Sequence, residues 1–225
     1  RLFTFLGTIG GHGQEWIILS HYVLVIGIIF LIARAATRKL QLVPTGAQNV
    51  METFVGGIIT MGADTMGEKN ARVYMPLIAS LAIVIFVSNM IGVIPGFEAP
   101  TSNINFTLSL ALIVFVYYNY VGIQKNGFVN YFKHFMGPMP ILAPLMFPIE
   151  IISHISRIIS LSFRLFGSIR GDDMFLMVLL MLVPWLLPLP GFFLLTAFGF
   201  LQAFIFSILT YVYIAGSVMM EHDEH

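Results

Sequence analysis

Residues 148–183 read "PIEIISHISRIISLSFRLFGSIRGDDMFLMVLLMLV", and how this run folds decides the fold of the chain. After Pro148 no proline interrupts it, and Pro184, Pro188 and Pro190 then impose a turn. A single helix over 36 residues is about 54 Å long at ~1.5 Å per residue. A bilayer core is about 30 Å thick, so such a helix must tilt, bend or protrude. Its polar residues are not scattered. At about 100° per residue, Glu150, His154, Arg157, Arg164, Ser168 and Asp172 fall within about 40° of a common line. Arg170 points roughly opposite, and Asp173 is half a revolution from Arg164.

Beyond the prolines, residues 192–219 form a second long apolar run, so the two segments predict a tilted hairpin. Gln202 and Tyr213 lie within about 20° on one face of its second arm. Upstream, residues 16–33, 76–94 and 106–123 are each apolar enough to cross a bilayer, and Trp16 marks an interface. Between the first two spans, Val50, Phe54, Ile58 and Met61 recur at helical spacing and predict an amphipathic interfacial helix, against the local weakening of Gly56-Gly57. Residues 124–147 read as a surface connection. The fold class expected is an all-α integral membrane protein of about five membrane-embedded helices plus the amphipathic helix. The chain forms one membrane domain over 1–225, divided into 1–75, 76–123 and the hairpin 145–220.

Composition agrees. The chain has 225 residues, 58% hydrophobic and 10% charged, whereas soluble domains carry about 25% charged residues. Eleven basic residues balance eleven acidic ones, so no global field favours nucleic acid. Cysteine is absent, which excludes disulfides, CxxC redox chemistry and thiolate metal sites. No secretory signal peptide is visible.

Basic residues predict the orientation. Arg34, Arg38, Lys39, Lys69 and Arg72 lie between spans one and two, and Lys125 and Lys133 follow span three. The loop between spans two and three carries Glu98 and no Lys or Arg. The N-terminus is therefore expected outside and the C-terminus in the cytoplasm.

A charge at the bilayer centre costs at least ~2.5–3.5 kcal/mol, so the stripe in 148–183 needs water, partner charges or both. Glu150 can pair locally with His154 or Arg157. Arg164 cannot: the nearest acid on its stripe, Asp172, is two turns away. An arginine so placed is a candidate functional residue, and Gln202 is a candidate uncharged hydrogen-bonding partner for it.

The stretches "RIISLSFRLFGSIRGDD" (157–173) and "FLQAFIFSILTYVYIA" (200–215), with "SNMIGVIPG" (88–96) and "PTSNINFTLSLAL" (100–112), resemble subunit a of the F-type ATP synthase membrane sector. The resemblance covers about 76–123 and 145–220; residues 1–75 agree in layout only. It implies a stator subunit, not itself catalytic, that passes protons to and from carboxylates of a rotating ring of c subunits through two aqueous half-channels. Arg164 matches the family's essential ring-facing arginine, and Gln202 the glutamine beside it. Asp173 matches an acidic site in the outer half-channel. Glu150, Arg157 and Ser160 match polar positions towards the inner one, and Ser168 stands where many members have Asn. Some members carry His or Glu seven residues before the glutamine; this chain has Leu195. The outer relay then rests on Asp173, with Asp172 and loop groups such as Glu98 or Asn105. His154 and Tyr213 complete the candidate ion-translocating set. The resemblance also implies a c-ring, b-type peripheral-stalk subunits and membrane lipid as partners, no nucleic acid, nucleotide, cofactor or metal on this chain, and a place in a bacterial inner membrane.

The rival reading is a secondary transporter or channel whose polar helix lines the path. Such proteins show internal repeats or paired broken helices, and no second copy of the Arg164 helix is present. "GVIPG" (92–96) fits GxxxG formally, but its proline argues for a turn. The "GGHG" (10–13) and "EHDEH" (221–225) segments read as solvated termini.

Overall fold

The computed structural model describes residues 14–38, 46–94, 96–127, 143–182 and 188–218. The described residues form α-helices joined by turns and one short 3-10 turn, with no strand. In chain order the helices are α1 (Gln14–Thr37), α2 (Ala47–Met66), α3 (Glu68–Val93), α4 (Ile104–Asn126), α5 (Ala143–Leu182) and α6 (Pro188–Val218), and the 3-10 turn Pro100–Ser102 precedes α4. Lys39, the 128–142 part of the connection with Lys133, Pro184, "GGHG" and "EHDEH" lie outside the described residues.

Among the described residues, four segments are long and apolar enough to cross a membrane: Ile18–Thr37, Glu68–Val93, Ile104–Lys125 and Pro190–Val218. The remaining long helix, α5, expected as a further membrane-embedded one, is not among them and carries charges along its length. It runs for 40 residues, about 60 Å. It starts earlier than the sequence run suggests and carries Pro148 inside. A proline there removes one backbone hydrogen bond, which costs a turn of regular geometry but does not end the helix.

Residues 68–75 also belong to a span. The helix expected from residue 76 begins at Glu68, with Pro76 internal, and the Arg72–Glu68 ion pair at 2.8 Å braces the extra turns. Gly67, at φ 81°, separates α3 from α2, and its N–H bonds the Ala63 carbonyl. The left-handed φ favours glycine at this break.

The amphipathic helix exists, with a packing face rotated from the expected one. Gln48, Ile58, Gly62 and Met66 are buried, Phe54 packs against the core, and Val50 is exposed. A side chain on Gly62 would collide with the Tyr211 ring and Ala71. Its absence is what lets α2 lie against α3 and α6. Gly56 and Gly57 are exposed within the helix and do not break it.

One core joins α2 to α6 through residues such as Ile58, Ile78, Ile85, Val114, Leu161, Leu165, Phe206 and Ile214. A smaller cluster, Val25 with Val87 and Ile91, attaches α1 to α3. Elsewhere α1 presents Leu19, Val23, Ile26, Phe30 and Leu31 outward, as a helix solvated by lipid does. The ends of the bundle differ in charge. Arg34, Arg38, Lys69, Arg72 and Lys125 sit at one end, called here the basic end; the 94–103 loop with Glu98 sits at the other.

Candidate functional site

At the Glu98 end, a cavity of about 300 Å³ opens between α1, the 94–103 loop and α5, lined by His21, Tyr22, Glu98, Asn103 and Arg170 among others. The 3-10 turn and the Asn103 side chain, which accepts the Asn105 N–H at 3.0 Å and caps α4, shape its floor. His21 is buried in α1, and its Nε2 accepts the Glu98 backbone N–H at 3.2 Å. That bond ties the loop to α1. Of the two loop groups expected here, Glu98 lines the cavity. Asn105 does not: it is exposed in the first turn of α4, and Asn103 takes the place on the cavity wall.

A second, smaller cavity of about 20 Å³ lies between α3, α5 and α6, lined by Asn89, Gly92, Ala99, Ile169, Asp172, Asp173, Leu195 and Gly199. That volume suffices for about one water. Ala99 is a wall of both cavities, so they are neighbours. A Cβ on Gly92 would meet Ala99, which brings the loop down onto α3 there. Asn89 fastens the same corner: its Nδ2 donates to the Gly199 carbonyl at 3.1 Å, and its Oδ1 accepts from Thr101 Oγ1 at 2.8 Å.

Asp172 and Asp173 therefore face one space rather than two. The helical projection sends them to different sides, but adjacent residues are only about 100° apart, and the cavity occupies the sector between them. Arg170, opposite the stripe in projection, lines the larger cavity, with its guanidinium 6.0 Å from the Phe166 ring. Both Arg170 and Glu98 come close enough to Asp173 to act on its charge.

Arg164 lies near the middle of α5 and is exposed, among exposed Ile159 and Phe163. It makes no ion pair among the described residues; those found there are Arg72–Glu68 and His154–Glu150. Ser160, one turn away, is exposed on the same side. Gln202 is buried in α6, and its Nε2 donates to no group among the described residues; the Ser168 hydroxyl is likewise buried without a partner. No contact joins Gln202 to Tyr213. Eleven residues on from Gln202, Tyr213 lies about 16 Å further along α6, in a different cluster.

That cluster stands at the basic end. His154 Nδ1 lies 2.7 Å from the Tyr118 hydroxyl of α4, and its Nε2 lies 3.4 Å from Glu150 Oε1. The His154 and Tyr118 rings stack at 5.7 Å. Arg157 sits over the Tyr213 ring at 5.8 Å, and Tyr213 approaches Tyr118 at 6.3 Å. Of the two local pairings open to Glu150, the structure adopts the one with His154. The polar stripe is thus one line on α5 but three environments, because a helix this long changes neighbours along its length. Next to the stripe, Ser162 meets Thr107 of α4 at 3.2 Å.

Sequence reasoning missed His21, Asn89, Thr101, Asn103, Tyr118 and Arg170. For Arg170 the signal was present, a charge in an apolar helix. Tyr118 and Asn89 lie in ordinary apolar spans and become legible only through their partners.

Residues 17–215 match the protein family described as ATP synthase A chain. The chain belongs to that family. The match takes in α1 and α2, where motifs alone had agreed only in layout. The chain is 92% identical, over all of its length and 99% of the relative's, to ATP synthase subunit a of Aliarcobacter butzleri. It is 58% identical to ATP synthase subunit a of a Nitratiruptor species, over 99% of this chain and 98% of that protein. With ATP synthase subunit a of Campylobacter jejuni it shares 62% identity over 89% of each. In this member of the ATP synthase A chain family, the position seven residues before Gln202 is Leu195, buried against the two aspartates' cavity.

Proposed function

We propose that this chain is the ion-translocating stator subunit of an ATP synthase membrane sector, working against a ring of c subunits and held by b-type stalk subunits. Its two half-channels meet solvent at opposite faces and are kept apart by Arg164. The observation that carries the reading is Arg164 itself: a permanent charge midway along a membrane helix, exposed, with no carboxylate of this chain beside it among the described residues. A mid-membrane charge is costly unless water or a partner compensates it. An exposed, unpaired arginine is therefore explained by a carboxylate on another subunit.

The spacing along α5 supports this. Glu150 and Asp173 are about 35 Å apart along the helix axis, close to the thickness of a bilayer core, and Arg164 lies between them. At the Glu98 end the two neighbouring cavities lie beside Arg170 and beside Asp172 and Asp173 and have room for water; at the basic end Glu150 is partly exposed. The basic residues support a cytoplasmic position for that end, with the Glu98 end facing outward.

Two paths that do not meet are required, because a continuous water wire would dissipate the gradient without turning the ring. Arg164 closes the gap electrostatically: it repels protons and favours the ionised form of an arriving ring carboxylate. That carboxylic acid gives its proton to one half-channel on approach, and the carboxylate takes a proton from the other after leaving. Arginine suits the position because it stays protonated where a buried lysine can lose its charge. Each crossing yields about 2.3 kcal/mol per 100 mV. Gln202, with a free buried amide, can hydrogen-bond the guanidinium or the ring carboxylate. Nucleotide chemistry takes place on other subunits.

Co-purification tests the assignment against the transporter alternative. The expected result is a complex containing a ring of small hairpin proteolipids. A chain that transports ions alone, without the ring, contradicts it.

A further inference from the structure

We propose that Tyr118, His154 and Glu150 form a proton relay in the half-channel at the basic end, with the His154 imidazole carrying each proton between the ring side and solvent. The proposal rests on the stator reading and adds to it a route through a side chain where an open water path would otherwise be assumed.

The geometry is a three-membered chain. The Tyr118 hydroxyl is 2.7 Å from His154 Nδ1, and His154 Nε2 is 3.4 Å from Glu150 Oε1. Burial is graded along it: Tyr118 is 1% exposed, the His154 side chain 7%, and the Glu150 side chain 33%. Only Glu150 is open enough to exchange protons with bulk water directly. A neutral imidazole has one donor and one acceptor nitrogen. A tyrosine hydroxyl donating to Nδ1 leaves the proton on Nε2, which fixes the tautomer from α4; Glu150 Oε1 is 3.4 Å away at an angle short of a hydrogen bond, so a small turn of the ring completes the link during transfer.

The groups packed around the imidazole suit a relay. On α5 it has Glu150 one turn before and Arg157 nearly one turn after. From α4 come Tyr118 and the edge of Phe115, and from α6 comes Tyr213, which takes up Arg157 on its ring face. Arg157 is thus held by an aromatic face and leaves Glu150 to His154. The set lies about 15 Å along α5 from Arg164, far enough that the separating charge and the relay are distinct devices.

The protons balance in a concerted shift. The Glu150 carboxylate accepts the proton from Nε2, Nδ1 accepts the hydroxyl proton of Tyr118, and the Tyr118 oxygen accepts a proton from a ring-side water that is reprotonated by the ring carboxylic acid as it becomes a carboxylate. Neither a tyrosinate nor an imidazolium accumulates. Glu150 then releases its proton to solvent, and rotation of the hydroxyl with tautomer exchange of the ring resets the chain.

The test uses the synthase in vesicles in two steps: ATP-driven pumping by the complete complex, then passive proton flux driven by a potassium gradient after the catalytic sector is stripped from the same vesicles. Glutamine at 154 can accept from Tyr118 and donate to Glu150, but it cannot pass a proton through. His154→Gln is expected to lower flux about a hundredfold, at the low end of what a positioned proton-transfer group contributes. Tyr118→Phe is expected to lower it several-fold. In His154→Gly, added imidazole is expected to restore flux while leaving His154→Gln unchanged, a response that loss of packing does not give. Flux in an assembled His154→Gln complex close to that of the unsubstituted one overturns the relay. If His154→Gln does not assemble with the ring, Tyr118→Phe decides, and unchanged flux in it overturns the relay equally. An Arg164→Ala complex measured alongside separates the two levels. If it still pumps with ATP, the stator reading fails; if it is inactive while His154→Gln is normal, only the relay fails.

Discussion

Leu195 and Asp173 share the wall of one small cavity, which Asp172 and Asn89 also line. A leucine holds no proton, so the proposed stator role assigns proton exchange there to the acids on α5. Asp173→Asn is expected to slow proton entry from the Glu98 side more than Leu195→Ala does. Proton flux into vesicles from that side measures both, and equal fluxes count against the half-channel placement.

Asn89 holds this corner with two buried hydrogen bonds, to the Gly199 carbonyl and from Thr101. Asn89→Ala removes both bonds and leaves the buried Thr101 hydroxyl without its acceptor, which costs about 1–3 kcal/mol. The thermal midpoint of the purified complex is expected to fall further for Asn89→Ala than for Ser80→Ala, whose hydroxyl is exposed and bonds its own helix. Equal midpoints argue against a structural clamp.

The two glycine sites of α2 differ in a way that stability can read. A side chain at Gly62 meets Tyr211 and Ala71, whereas one at Gly56 meets nothing within 4 Å. Gly62→Val is expected to destabilise by roughly 1–3 kcal/mol through overpacking, and Gly56→Ala to be neutral or to stabilise by up to about 1 kcal/mol through helix propensity. Thermal unfolding of the two variants in detergent checks the contrast, which a similar loss in both contradicts.

The helices were legible in the sequence because membrane spans announce themselves by length and apolarity, and Arg164 because a lone charge in such a span is costly. Boundaries were less so. Pro76 and Pro148 look like starts, yet both lie inside helices, where neighbouring helices in an apolar medium accommodate a lost backbone bond. The stripe on α5 was correctly drawn as a line, but a projection of one helix carries no information about its neighbours. It could not show that Asp172 and Asp173 converge on one cavity, that Tyr213 belongs with Arg157 and not with Gln202, or that Tyr118 reaches His154. Val50 failed for a related reason: α2 is held by Gly62 against Tyr211, and a missing side chain leaves no mark in an apolar pattern.

The account stands on Arg164 as the charge between two half-channels, and ATP-driven proton pumping by vesicles carrying Arg164→Ala tests that most directly. The prediction is a complex that assembles with its ring and pumps no protons in either direction of coupling. Pumping at the rate of the unsubstituted complex would contradict it.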